Sequence, residues 1–226
     1  MNHPKLKSTQ IPVITIDGPG GSGKGTIGLL LAEKLGWHFL DSGALYRVLA
    51  LAALNQGVDL GNEQNLEKLA LELKVQFKGD IILDGKSVTK LIRSEQCGSV
   101  ASQIAIFPRV RAVLLEKFRE FSVFPGLVAD GRDMGTVVFP GAICKIYLEA
   151  SVEERAERRY RQLKDRGQSV TLGNLLEEIA ARDARDKGRV TAPLKPSKDA
   201  VVIDTTGLGI EEVFEEVMKV VKQRLY

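Results

Sequence analysis

Histidine and cysteine are almost missing from this chain: two of each among 226 residues. Cys97 and Cys144 have no spacing that suits a zinc site and make no disulfide framework, so reduced thiols in a cytosolic protein are the simpler account. His3 lies in the polar opening stretch and His38 in an apolar run, so neither is offered as a general base. Charge of one sign is also scarce. Lys and Arg total 32 against 29 Asp and Glu, and the resulting +3 is too weak to argue for nucleic acid or a membrane surface as partner. No apolar run approaches the ~20 residues that span a bilayer. Residues 1–10 lack the apolar core of a signal peptide and read as a loose, flexible tail, which leads to the expectation of a cytoplasmic protein. No internal repeat or low-complexity stretch is visible. What remains is an ordinary globular composition, 44% hydrophobic and 27% charged, long enough for one substantial domain or a core with small insertions.

Against that plain background one element stands out. Val13-Ile14-Thr15-Ile16-Asp17 is a β-branched apolar run suited to a buried parallel strand. It runs directly into Gly18-Pro19-Gly20-Gly21-Ser22-Gly23-Lys24-Gly25-Thr26, and 27–35 then reads as an apolar-faced helix. Glycines let the backbone curl so that its N–H groups converge on phosphate oxygens, and the helix N-terminus adds positive potential. Lys24 would reach the outer phosphates of a nucleoside triphosphate. Gly25 stands where this type of loop usually carries Ser or Thr, and Thr26 comes one place later. A magnesium ligand supplied directly by the loop hydroxyl is therefore not assigned.

Four more short apolar runs follow, at 37–40, 127–129, 144–148 and 201–203. Helical patterns separate them at about 43–55, 108–121, 152–166, 171–187 and 210–225. Strands alternating with longer helices predict a parallel sheet covered on both faces, with ligands gathered beyond the carboxyl ends of the strands. Residues 62–93 break the rhythm. A short helix (Leu66, Leu69, Ala70, Leu73) precedes Val75-Gln76-Phe77 and Ile81-Ile82-Leu83, joined through Lys78-Gly79-Asp80, and Asp84-Gly85 marks another turn. This predicts a small, mostly antiparallel insert. The expected organisation is thus a tail at 1–10, a core at 11–61 and 94–226, and the insert at 62–93.

Several polar constellations fall on the same rim. Asp41-Ser42-Gly43-Ala44-Leu45-Tyr46-Arg47 follows the second strand and suits either an anion and sugar clamp or a plain helix cap. Asp130-Gly131-Arg132-Asp133 follows a buried strand, and its arginine can present paired donors to a phosphate. Arg182, Arg185, Asp186 and Arg189 repeat at helical spacing about a quarter turn from the stripe Leu172, Leu175, Leu176, Ile179. Arg155, Arg158 and Arg159 lie on the helix from Val152, with Glu154 and Glu157 able to pair nearby, and 163–169 looks like a hinge for a flap over the triphosphate. A triphosphate loop plus separate arginine groups suggests two phosphorylated ligands. A phosphate monoester acceptor, with a second pKa of about 6, is largely ionised without a base.

These blocks resemble one family closely. The loop ending Lys-Gly-Thr is similar to nucleoside monophosphate kinases. Leu40–Arg47, Ala101-Ser102-Gln103, Phe107-Pro108-Arg109-Val110-Arg111, the run Asp130 to Pro140 and Arg182-Asp183-Ala184-Arg185-Asp186 look like bacterial cytidylate kinases. The resemblance implies an α/β fold: a P-loop kinase core with a five-stranded parallel sheet flanked by helices, a small antiparallel β insert and a helical lid at about 152–170. It implies phosphoryl transfer from ATP to CMP or dCMP with Mg2+, in a monomer with no nucleic acid or membrane partner. By the same resemblance ATP falls to Gly18, Pro19, Gly20, Gly21, Ser22, Gly23, Lys24, Gly25 and Thr26, with Arg155, Arg158 and Arg159 in the lid. CMP falls to Ser42, Tyr46, Arg47, Ser102, Arg111, Arg132, Asp133, Arg182, Asp186 and Arg189. Lys24, Asp41, Arg132 and Arg189 carry the catalytic expectation, and a water-mediated magnesium near Asp41 and Asp130 stays open. Gly20 departs from members that carry serine there. Other small-acceptor kinases, adenylate or shikimate, and a nucleotide-dependent switch are the competing readings. Asp133 with Arg111 argues against adenine, and the acceptor-side arginines would be idle in a switch.

Overall fold

The apolar runs become strands of one sheet in the computed structural model, which describes residues 11–78, 80–165 and 167–225. The first half of the chain runs β1 (Val13–Asp17), α1 (Lys24–Leu35), β2 (His38–Asp41), α2 (Ser42–Gln56), α3 (Glu63–Glu72), β3 (Val75–Lys78), β4 (Asp80–Leu83) and β5 (Lys86–Ser87). There follow α4 (Glu95–Ile104), α5 (Pro108–Arg119), β6 (Leu127–Gly131), β7 (Cys144–Glu149), α6 (Val152–Asp165), α7 (Leu172–Lys187), β8 (Val201–Asp204) and α8 (Ile210–Leu225). The chain divides into two compact units, Met1–Leu40 with Phe121–Tyr226, and Asp41–Glu120. The predicted tail lies outside the described residues.

The first unit is built on the five-stranded parallel sheet, ordered β2-β6-β1-β7-β8. Its central strands β6, β1 and β7 are buried along nearly their whole length, which explains their unbroken apolar composition. The edge strand β8 alternates between half-buried and exposed residues instead. β1 pairs with β6 from Val13 opposite Leu127 to Asp17 opposite Gly131, so both strands end at the same level. Ile14, Ile16, Ile27, Leu31, Val128 and Leu148 form the core with Val213, Val217 and Val221 of α8. A separate cluster of Ala156, Leu163 and Leu175 joins α6 to α7. Thr171 caps α7, accepting from the Asn174 amide at 3.3 Å, so the helix starts at Leu172, the first residue of its apolar stripe and one later than the predicted 171.

The second unit gathers α2 to α5 with the antiparallel sheet β3-β4-β5. Nine of the residues of α2 are buried, as its nearly all-apolar sequence requires. Val75 lies opposite Leu83 and Phe77 opposite Ile81, the register of the predicted hairpin. A short 3-10 turn at Leu91–Arg93 and two further elements were not anticipated. One is α4, whose mixture of Gly, Ser, Cys and Gln obscures periodicity although Ser94 caps it from Oγ to the Cys97 amide at 3.3 Å. The other is a π-helical turn at Met134–Val138, directly after β6.

Candidate active site

β1 delivers the loop to the carboxyl edge of the sheet, and the loop approaches neighbouring backbone too closely for a side chain. Gly18 has φ +145, and a Cβ there would lie 1.9 Å from the Leu148 carbonyl oxygen. Lys24 is buried at the first turn of α1, its Nζ donating to the Pro19 carbonyl at 2.7 Å. Ser22 Oγ donates to the same carbonyl at 3.1 Å. Burial, and then the charge of Arg132, push Lys24 down to about 7, against the pull of Asp130 and Asp17. A positive group so depressed is one that a bound anion would recharge.

Around the loop tip stand guanidinium groups from three elements. A Cβ on Gly20 would lie 3.3 Å from Arg132 Nη2 and 3.8 Å from Arg182 Nη1, so this glycine leaves the tip open to both arginines. Arg132 Nε donates to Asp186 Oδ2 at 3.1 Å, and Arg189 pairs with Asp186 Oδ1. Burial alone would raise Asp186, but Arg132, Arg189 and Arg182 hold it below the usual carboxylate range. Burial works against the charge on Arg132, and Asp186, Asp130 and Asp183 together more than restore it. Arg182 and Asp186 thus share the inward side of α7, and Arg189, just past its end at Lys187, turns back to Asp186. Arg185, placed on that face by spacing alone, is exposed, and Asp183 is buried in its stead.

Asp183 explains Arg155. The Arg155 guanidinium is fully enclosed and grips Asp183 through two bonds of 2.5 and 3.1 Å. It also donates from Nη1 to the Gly20 carbonyl at 3.1 Å and from Nε to the Ala150 carbonyl at 3.0 Å. This arginine therefore braces the phosphate loop against α7. Arg158 donates to the Thr205 carbonyl at 2.6 Å and to Glu154 at 2.8 Å, and Arg159 to Gln162 at 3.3 Å. Thr205, fully buried, bonds Oγ1 to the Glu149 carbonyl at 3.0 Å and accepts from Arg158 at 3.1 Å.

Asp130 and Asp133, from the end of β6, are both buried. A Cβ on Gly25 would lie 3.4 Å from Asp130 Oδ2, so a carboxylate stands beside the position where such loops usually carry a hydroxyl. Asp17 is buried too and accepts from the amides of Met134 and Gly135. Burial pushes it up to about 7 against those two bonds, with Asp133 and Asp130 adding to the rise.

In the second unit Asp41 caps α2, accepting from the Ala44 amide at 2.9 Å, and its other oxygen pairs with Arg93 at 3.2 Å. The capping role foreseen for this stretch thus falls to Asp41, and Ser42 is buried in the first turn. Arg47 donates to the carbonyls of Ile92 at 2.9 Å and Ser94 at 3.1 Å, and packs over Gly98, where a Cβ would lie 2.9 Å from Nη2. Tyr46 tilts against Phe118 with ring centroids 5.9 Å apart. Ser102 on α4 and Arg111 on α5 are both buried. Arg111 donates to the Ala105 carbonyl at 3.2 Å, and the Ser102 hydroxyl has no hydrogen-bond partner among the described residues.

Sequence reasoning missed Asp17, Asp183 and Thr205. An acid closing a buried strand next to a glycine loop was the available signal for Asp17. Asp183 and Thr205 left none, because their partners lie 28 and 47 residues away.

A glycine loop with a buried lysine, springing from the central strand of a five-stranded parallel sheet into a helix, defines a P-loop protein of the kinase type. An uncharacterised protein from Eubacterium ventriosum shares the fold, with a TM-score of 0.53 at 10% identity over 94% of this chain and 99% of that one. The cytidylate kinase family profile matches residues 14–223. A cytidylate kinase from Shewanella denitrificans is 57% identical over 222 residues, covering 95% of this chain and 98% of its own. One from Stutzerimonas stutzeri is 59% identical over 221 residues, covering 95% and 96%. The chain belongs to the cytidylate kinase family. Among the described residues no helix is long and apolar enough to cross a membrane.

Proposed function

We propose that this chain transfers the γ-phosphoryl group of ATP to CMP or dCMP, giving ADP and the diphosphate. The observation that carries the reading is the placing of Lys24. It is buried at the head of α1, with the Arg132 and Arg182 guanidiniums at the loop tip, a concentration of positive charge suited to the phosphates of a polyphosphate. Phosphoryl transfer asks the protein for alignment and charge neutralisation. The loop amides of 18–26 and Lys24 take the ATP phosphates, and Arg158 and Arg159 close on them from the helical lid at about 152–170. Arg155 serves ATP by holding Gly20 in place.

The acceptor phosphate falls to Arg47, Arg132 and Arg189, and the ribose to Arg182 and Asp186; Ser42 and Tyr46 are assigned to CMP as well. Cytosine falls to Ser102, Arg111 and Asp133. A carboxylate accepts from the cytosine amine, as it does when proteins read that base in DNA. Uracil presents an acceptor there and is disfavoured. The buried Ser102 hydroxyl, lacking a partner among the described residues, supports a polar ligand on that side. The insert at 62–93 serves the monophosphate.

Magnesium fits this donor set in one manner only. Among the described residues no group of three or more acidic, His or Cys side chains could hold a metal, which excludes an all-protein cage there. Mg2+ ordinarily keeps several waters and takes one or two carboxylates plus substrate phosphates. Asp130, beside Gly25, suits that role through water. Asp41 spends its oxygens on Ala44 and Arg93, which leaves it a supporting part in ordering the substrate. Bound there, the ion would screen charge on the transferring phosphate.

The test is ADP release with ATP and magnesium, adding CMP, dCMP, UMP, AMP, GMP and shikimate separately. Strong stimulation by CMP and dCMP with weak UMP is expected. ATP binding with silence toward every acceptor would overturn the reading.

A further inference from the structure

Asp17 has no part in the substrate contacts proposed above, yet it is one of the most enclosed carboxylates of the first unit, 5% exposed. Its Oδ1 accepts from the Met134 amide at 2.8 Å and its Oδ2 from the Gly135 amide at 2.7 Å. These two amides lie immediately after Asp133. On the other side, the ladder between β1 and β6 runs out with Asp17 opposite Gly131. Sheet pairing therefore fixes the backbone up to Gly131, and the Asp17 carboxylate fixes it again from Met134. Arg132 and Asp133 are the two residues strung between these supports.

The surroundings are fitted to this clamp. A Cβ on Gly135 would lie 2.7 Å from Thr15 Oγ1 and 3.3 Å from Asp17 Oδ2, so no side chain is tolerated where the amide meets the carboxylate. The Asp133 carbonyl accepts from the amides of Val137 at 2.9 Å and Val138 at 3.2 Å, closing the π-helical turn beyond it. Two adjacent N–H donors need two acceptor oxygens on one rigid group. A carboxylate on a short side chain supplies both, whereas an amide would turn an NH2 toward one of them. Asp17 is occupied with backbone, so it is poorly placed to act on a substrate directly.

We infer that Asp17 is a specificity-determining positioning residue: by holding the Met134 and Gly135 amides it sets the place from which Asp133 reads the amine of the acceptor base. The inference rests on the reading of Asp133 as the base contact. Hydrogen-bond discrimination depends on tenths of an ångström, and a carboxylate left to drift accepts less well from an amine and rejects an opposing carbonyl less sharply.

The experiment compares full-length wild type, Asp17→Asn, Gly135→Ala and Asp133→Ala, measuring kcat and KM for CMP and for UMP beside Tm. Asp17→Asn is expected to lower the CMP-to-UMP ratio of kcat/KM by about tenfold, chiefly through a raised KM for CMP. A merely structural role would lower Tm and leave that ratio intact in the folded enzyme, which would overturn the proposal. Gly135→Ala disturbs the same clamp from the opposite side and is expected to lower the ratio as well, so the question stays answerable if Asp17→Asn fails to fold. Loss of discrimination in Asp133→Ala with none in either clamp variant would defeat the positioning role alone. Retained discrimination in Asp133→Ala would remove the base-reading assignment and this inference with it.

Discussion

Asp17 and Asp186 are both buried carboxylates beside the phosphate loop, 5% and 1% exposed, and they respond to burial in opposite directions. Asp17 is pushed up to about 7 from 3.8, while Asp186 is held below 3.8. The difference lies in what solvates each one. Asp17 has two backbone amides and two neighbouring carboxylates, Asp133 and Asp130; Asp186 has Arg132, Arg189 and Arg182. Here two backbone dipoles replace only part of the water that Asp17 gives up, whereas three guanidiniums more than offset the burial of Asp186. Burial by itself thus says little about a carboxylate. At the loop this yields two tools, one anchoring backbone and one aligning arginines.

The sharpest way to break the comparison is to remove each acid. Asp186→Ala leaves Arg132 and Arg189 without the carboxylate they share, and breaking a buried pair in this manner costs about 3–5 kcal/mol. Urea unfolding is expected to show a loss of that size; a change below ~1 kcal/mol would mean the two guanidiniums find other partners. Lys24→Ala comes next and touches catalysis rather than folding. Removing one preorganised electrostatic donor costs about 2.7–4 kcal/mol of transition-state stabilisation, or ~10²–10³ in kcat. An unchanged kcat for CMP would end its assigned role.

The two acids also predict opposite pH dependences. Asp17 has its pKa raised on folding, so the native state binds its proton more tightly than the unfolded chain does. Its contribution is complete below the ordinary pKa of 3.8 and is lost as pH rises toward about 7. Asp186 is depressed, and its contribution is present above 3.8 and lost as pH falls below it. Between pH 5 and pH 7 the stability of Asp17→Asn is therefore expected to fall less than that of wild type. Parallel curves would show that Asp17 titrates normally. The smallest effect concerns α7, which carries Asp186. Thr171→Ala removes its cap and is expected to cost about 1 kcal/mol, with the KM for CMP unchanged. A shifted KM would tie the start of α7 to the acceptor site.

Much of this was legible along the chain. The β-branched run before the loop, the apolar strands of the sheet and the hairpin of the insert all follow periodicities that sequence displays directly. The helix at Glu95–Ile104 was not, because its small polar residues pack in a pattern no propensity favours. Arg155 shows a deeper limit. Its place among three arginines on one helix suggested a lid contact to ATP, yet it lies fully enclosed against Asp183 and Gly20. Nothing local separates a guanidinium that faces a ligand from one that faces a buried acid.

Sequence alone determined the phosphate loop, its lysine, the alternation of strand and helix and the family, because each is carried by residues adjacent in the chain or spaced by one helical turn. Tertiary structure decided which acid meets which base. Asp17 reaches amides 117 and 118 residues away, and Asp186 meets Arg132 across 54. Such pairings are chosen by where the sheet ends and how helices lie on it. The charge state of a carboxylate then follows from neighbours that the chain itself does not list.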